Sequence, residues 1–320
     1  PRGRSRCYRP HQTMPCRPDA TPLAAHAAGF APPVVVFCKS HSGSRLLAAA
    51  LQRLGVFLGE VLNESLDALP MLPVVEHVVE RHHPDFTRWH RDGSDAETGP
   101  LLERALDAHF GGRPRSTKPW GWKLCETVYA VPVIEAAFPG ARYIHLIRDG
   151  RDVAFCDHAV PDTPFWKKVS FGTDRITAWR GRRLGYKDYH RQSHIFNAAH
   201  WCASVGLGRT YGALLGPRYL EVRYEDLCHR FPESMARIAA FIGIEPCAEA
   251  LTTIAARVST GSIGKHRERP TRILRQVLEI ESPLLLSLGY LDTDPLAKPP
   301  RSLRRRVSGW WHGSERRQAA

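Results

Sequence analysis

Apolar residues fall into two rhythms along this chain of 320 residues, short unbroken runs and stretches at helical spacing. Val34-Val35-Val36-Phe37 is an unbroken run and predicts a buried strand. Leu46, Leu47, Ala50, Leu51 and Leu54 share one face at helical spacing, and Gly55 stands where a left-handed helix end favours glycine. Periodicity over 71–82 and 101–110 predicts two more helices, with the polar stretch 90–99 between them a loop. Trp120–Leu124 predicts a short strand leading to a helix over 127–137, which Phe138-Pro139-Gly140 ends. Ala141–Ile147 is the next strand, residues 148–152 a turn, and Val153-Ala154-Phe155 the start of a helix. A helix over 197–214, a strand over 219–222 and a helix from Pro232 through Phe241, closed by Gly243, complete the readable pattern.

Strands alternating with helices define an α/β protein with a central, mainly parallel sheet flanked by helices, a P-loop-like three-layer arrangement. Ligands of such sheets bind beyond the carboxyl ends of the strands. The loop after the first strand, Lys123, Arg148 and Tyr224 all fall at or just after predicted strand ends, so the topology makes them converge. One domain over 32–295 is expected. Residues 1–31, rich in Pro, Arg and Ala without periodicity, read as a disordered basic tail. Residues 296–320 read as a basic, aromatic tail, and the irregular 157–195 as a lid on the acceptor side.

A hydrophobic content of 43% can furnish a sizeable core. No run of about 18 apolar residues occurs, and the N-terminus shows no apolar signal region, so a cytoplasmic protein without a spanning helix is expected. The net charge of +13 is concentrated at the ends, +4 in residues 1–30 and +6 in 296–320, leaving +3 for the rest. It therefore says little about the folded domain. Arg304-Arg305-Arg306 with Trp310-Trp311 suits anionic lipid or nucleic acid as an accessory contact, and with it a peripheral place at a membrane surface. No pair among the eight cysteines has CxxC spacing, so neither a zinc site nor a disulfide framework is suggested, and reduced thiols fit.

The candidate chemistry begins at Phe37-Cys38-Lys39-Ser40-His41-Ser42-Gly43-Ser44-Arg45. A small polar loop between strand and helix presents unpaired N–H groups at the positive end of the helix dipole, which makes an anion site. By itself the loop is not diagnostic, because Gly-Ser turns are common there. It also lacks the Gly-Lys-Ser/Thr ending of nucleotide kinases. A P-loop kinase or other NTP-dependent phosphotransferase is the alternative, with Asp149 in the place of a magnesium-holding carboxylate. Arg148 intrudes between strand and Asp149, and magnesium dependence discriminates the two readings.

Tyr143-Ile144-His145-Leu146-Ile147-Arg148-Asp149-Gly150-Arg151-Asp152-Val153 resembles the second nucleotide-binding motif of the sulfotransferases. The first loop and Val222-Arg223-Tyr224-Glu225-Asp226-Leu227 match in order and spacing, nearest to the tyrosylprotein and heparan branch of the family. The resemblance implies 3′-phosphoadenosine 5′-phosphosulfate as donor and no metal. It places Ser42, Gly43, Ser44 and Arg45 around the 5′-phosphate. His41 stands where the family usually has Lys or Arg, with Lys39 as a possible substitute two residues earlier. It places Arg148 at the 3′-phosphate, where a guanidinium fork suits a terminal phosphate. Cys156 stands in place of the partnering serine, and Tyr224 packs against the nucleotide. Ser259–Arg267 resembles the late loop that closes over the nucleotide, with Lys265 the first choice and Arg267 the second.

Sulfuryl transfer needs a base for the acceptor hydroxyl and cations for the departing phosphate. In the branch this chain resembles, the base is a Glu roughly two dozen residues after the loop. Glu60 and Glu64 both qualify, Glu64 preferred. Lys123 resembles the lysine that reaches the sulfonate, and protonated His41 could supply the missing loop charge. The acceptor is a hydroxyl-bearing molecule: carbohydrate, lipid, peptide tyrosine or small alcohol all fit.

Overall fold

The computed structural model describes residues 22–82, 96–114, 119–156, 193–245 and 248–296. Four strands, β1 (Val34–Cys38), β2 (Gly121–Lys123), β3 (Arg142–Ile147) and β4 (Tyr219–Arg223), form one sheet in the order β2-β1-β3-β4. All three pairings are parallel, and β1 and β3 register from Val34 opposite Arg142 to Cys38 opposite Leu146. Gly121 allows β2 to close on β1, since a Cβ there would meet the Val34 carbonyl oxygen at 1.7 Å. The chain starts at the central β1, crosses to β2 at one edge, then returns to β3 beside β1 and ends at β4 on the other edge, so the central pair carries both of the loops singled out by sequence.

Every residue of β1 is buried, as expected of a strand covered on both faces. Its side chains alternate between two cores. Val35 and Phe37 join Trp120, Trp122 and Tyr143 under α3 (Leu72–His82), α4 (Thr98–Phe110), α5 (Val131–Ala137) and α7 (Ser193–Leu215). Val34, Val36 and Cys38 join Ile144, Leu146 and Val222 under α2 (Ser44–Arg53), α8 (Tyr224–His229), α9 (Phe231–Ile242) and α10 (Ala248–Ala255). Sheet and two helical layers thus give the expected three-layer α/β fold. Each fully buried Val or Leu contributes about 1.5–3 kcal/mol, so β1 anchors the fold more strongly than either edge strand.

Several elements differ from expectation. Residues 22–31 depart from the reading of a disordered tail: α1 (Pro22–His26) is helical, and Leu23 and Ala27 are buried in the first core. The helix expected over 127–137 splits into a 3-10 turn over Cys125–Ala130 and α5, because Pro132 suits the first turn of a new helix. α6 (Gly150–Ala154) begins earlier than Val153, capped by Asp149, whose carboxylate accepts the Arg151 N–H at 3.0 Å. α10 and α11 (Thr271–Ser287) lie beyond the readable pattern, and α11 packs Leu285 against Trp201 and Val205 of α7. Most of the lid expected over 157–195 lies outside the described residues, as do the basic clusters of both tails.

Candidate functional site

The loop from β1 to α2 turns through two left-handed residues, His41 at φ 70° and Gly43 at φ 84°. The Ser42 N–H donates to the Lys39 carbonyl at 3.2 Å, which fixes the turn. Gly43 faces the Tyr224 ring without room for a side chain. Ser44 opens α2, so the N–H groups of a first helical turn flank the loop. Ser42 is buried and its Oγ makes no hydrogen bond within the protein. The side chains of His41 and Arg45 are exposed.

Arg148, just past the end of β3, ties this loop to the C-terminal part of the chain. Its Nη1 donates to the His41 carbonyl at 2.9 Å and its Nη2 to the Ser262 carbonyl. The guanidinium lies 5.0 Å from the centre of the Tyr224 ring, in cation–π range. The Tyr224 hydroxyl sits 3.0 Å from Ser262 Oγ. Arg148 is buried, and its Nε, like Ser42 Oγ, has no partner. A buried donor without an acceptor is costly unless a ligand supplies one.

Asp152 holds the Ser262 segment in place. Its carboxylate accepts from the Gly264 N–H at 2.7 Å, the His266 N–H at 2.9 Å and His266 Nδ1 at 2.8 Å, with Arg148 3.8 Å away. Burial opposes its charge, but the hydrogen bonds from His266 and Gly264 outweigh burial and keep the carboxyl below its ordinary range. Lys265 and Arg267 flank His266 and are exposed. Cys156 sits at the end of α6, its thiol 3.5 Å from the Asp152 carbonyl. Asp149 is engaged by Arg151, with Nη2 2.6 Å from its carboxylate, which leaves it poorly matched to the magnesium role of a kinase.

A second cluster stands between β1 and β2. Lys39 is buried with Nζ 2.7 Å from Ser40 Oγ, and burial lowers its pKa against the pull of Glu126. Lys123 Nζ donates to Asp67 Oδ1 and to the Ser65 carbonyl, both at 2.7 Å. Burial works to lower the Lys123 pKa, but Cys125, Cys38 and Asp67 raise it overall. Glu126 is pushed up to about 7 by burial and by Asp67, against Lys39 and Lys123. Two lysines and two carboxylates thus share one buried field. Glu64 is exposed and immediately precedes Ser65, the residue that receives Lys123. Glu60 instead pairs with Arg113, beyond the end of α4.

The structure therefore joins Ser42, Gly43, Arg148 and Tyr224 at one locus and Lys39 and Lys123 at the next. Sequence reading missed Asp67, Glu126, Ser262 and His266. Glu126 lies three residues past Lys123 at the same strand end, and Ser262 and His266 lie within the matched loop Ser259–Arg267, whereas Asp67 carried no signal.

A strand-to-helix loop clamped by an arginine from the neighbouring strand, at the carboxyl ends of a parallel sheet, is where an α/β protein of this class carries its ligand site. A family model described as the sulfotransferase family matches residues 33–249, and the chain belongs to that family; it is a sulfotransferase. No curated protein matches the chain. Among solved structures it is similar to the sulfotransferase domain from the curacin biosynthetic pathway, at 16% identity and TM-score 0.46, over 80% of this chain and 98% of that one. It is similar to sulfotransferase STF9 from Mycobacterium avium at 13% identity and TM-score 0.46, over 81% and 77% of the two chains. Mouse sulfotransferase SULT7A1, solved in complex with PAP, is similar at 14% identity and TM-score 0.45, over 91% and 93%. Among the described residues no helix is long and apolar enough to cross a membrane.

Proposed function

We propose that this sulfotransferase moves the sulfuryl group of 3′-phosphoadenosine 5′-phosphosulfate to an acceptor hydroxyl by in-line displacement, with protein cations in place of a metal. The donor supplies an activated sulfur whose bond to the 5′-phosphate oxygen breaks as the acceptor oxygen bonds to it. The observation that carries this reading is the pair of buried, unpartnered donors, Ser42 Oγ and Arg148 Nε. They belong to the two residues that the family resemblance assigns to the 5′- and 3′-phosphates.

Ser42, Gly43, Ser44 and Arg45 would bind the 5′-phosphate through N–H groups and the Ser42 hydroxyl. Arg148 would meet the 3′-phosphate from below, with Tyr224 holding its fork flat and Cys156 alongside. Lys265 and Arg267 would close the nucleotide side. Lys123, Lys39 and protonated His41 would offset the charge that develops on the leaving phosphate oxygen. A carboxylate would take the acceptor proton: Glu64 or Glu60 by sequence position, although Glu60 pairs with Arg113, or Glu126 by its raised pKa. Acceptors in this reading are carbohydrate, lipid, peptide tyrosine or small alcohols. Kinship with the tyrosylprotein and heparan branch is part of the proposal and rests on Tyr224 against the loop.

The test is calorimetric titration of 3′,5′-adenosine bisphosphate without magnesium into the wild type and Arg148→Ala. Binding that the substitution weakens tenfold or more, about 1.4 kcal/mol, is expected. Binding of magnesium-ATP in its place would overturn the reading in favour of a kinase.

A further inference from the structure

Cys38 and Cys125 lie 87 residues apart in the chain, yet their sulfurs are 3.3 Å apart. The register explains the meeting. β1 and β2 pair Val36 with Lys123, and the Leu124 N–H donates to the Val36 carbonyl at 3.2 Å, which carries the ladder past the end of β2. Just past the last paired positions, Cys38 at the end of β1 and Cys125 at the start of the 3-10 turn put their side chains into the same core. Drawing the sulfurs together by about 1.25 Å would make the bond.

Both thiols are buried in the second core. Cys125 Sγ is 3.8 Å from Ser44 Oγ and 3.9 Å from Asp67 Oδ1, so the pair borders both the anion loop and the Lys123 contact. Its thiol is pushed well up, first by the hydrogen bond to Cys38 and then by burial. Cys156 and Cys202 instead point their thiols at backbone carbonyls, of Asp152 and Ile280.

We propose that Cys38 and Cys125 are a redox modification site, oxidised by peroxide to a reversible disulfide that impairs donor binding. Cys38 sulfur attacks one peroxide oxygen, the O–O bond breaks, and a sulfenic acid and water result. Cys125 sulfur then attacks the Cys38 sulfur, the S–O bond breaks and a second water leaves with the thiol protons. Two electrons pass from the thiols to the peroxide. The cross-link ties the root of the anion loop to the Lys123 segment and pulls Cys125 away from Ser44. The effect on donor binding rests on the proposed function; the cross-link itself does not.

The experiment treats the full chain with hydrogen peroxide, digests it without reductant and analyses the peptides by mass spectrometry, with 3′,5′-adenosine bisphosphate binding measured in parallel. Expected are a Cys38–Cys125 linked peptide, binding weakened tenfold or more, and recovery of both with dithiothreitol. Cys38→Ser and Cys125→Ala should each abolish the link and keep their binding after peroxide. A folded protein that yields no linked peptide, a link without change in binding, or equal loss of binding in both variants would overturn the inference. If the reduced protein binds no bisphosphate, the proposed function falls, while the linked peptide still decides the chemistry of the pair.

Discussion

The Tyr224 ring occupies the space that a side chain at Gly43 would need: a Cβ there would lie 2.2 Å from Tyr224 Cε2. Glycine at this position therefore serves two ends, the left-handed turn at φ 84° and the close approach of an aromatic ring. Gly43→Ala should displace the ring or the loop and weaken bisphosphate binding tenfold or more. Made in a Tyr224→Ala background, the same change should cost less, leaving about 1 kcal/mol from the backbone alone. Equal costs in the two backgrounds, read by calorimetry, would sink this account.

Glu126 should titrate near neutrality. Its carboxyl is raised to about 7, chiefly by burial. A raised carboxyl means that the folded state holds a proton the unfolded state has released. Stability therefore falls as pH climbs from the ordinary value of 4.5 through about 7, on the order of 3 kcal/mol in all. Thermal melts of Glu126→Gln should show a flatter decline across that window than the wild type. A parallel decline in both proteins would show that Glu126 ionises normally.

Glu281 carries a larger liability of the same sign. It is fully buried in α11, and neither carboxylate oxygen has a hydrogen-bond partner. Burial, then Asp149, raises its pKa well above the ordinary value, against Arg151. The neutral acid is thus the resident form, and stability drains as pH rises past 4.5. Glu281→Gln should raise Tm by a few degrees at pH 8 and leave it unchanged at pH 4. No gain at pH 8 by calorimetry would mean that the charge is accommodated.

Much of the architecture was legible because both rhythms of apolar residues are strong here. The run at 34–37 is fully buried, and of the spaced residues from the start of α2 onward Leu47, Ala50 and Leu51 are buried while Leu46 and Leu54 pack half-buried against the same core. The anion loop, Arg148 and Tyr224 could be placed together because strand ends in a parallel sheet lie on one edge. Ser262 and His266 were not legible as partners of Arg148 and Asp152. Ser262 meets Arg148 through a backbone carbonyl, which every sequence possesses, and the His266 ring reaches Asp152 from 114 residues away. Asp67 was hidden for another reason: it meets Lys123 from 56 residues away, out of an irregular segment with no period to place it. Leu23 and Ala27 escaped because a helix of five residues is too short to show a repeat.

The clamp on Arg148 also bears on how much of this protein must be made for it to work. The family match ends at residue 249, whereas the Ser262 carbonyl, the Gly264 and His266 N–H groups and the whole of α11 come later. A chain trimmed to the matched segment would keep all four strands. It would also leave the guanidinium, the Asp152 carboxylate and the Trp201 face of α7 open to water. On a ribosome the same order applies: the sheet and the loop after β1 emerge first, and the contacts to Arg148, Asp152 and Trp201 are completed only once residues 262–287 have followed.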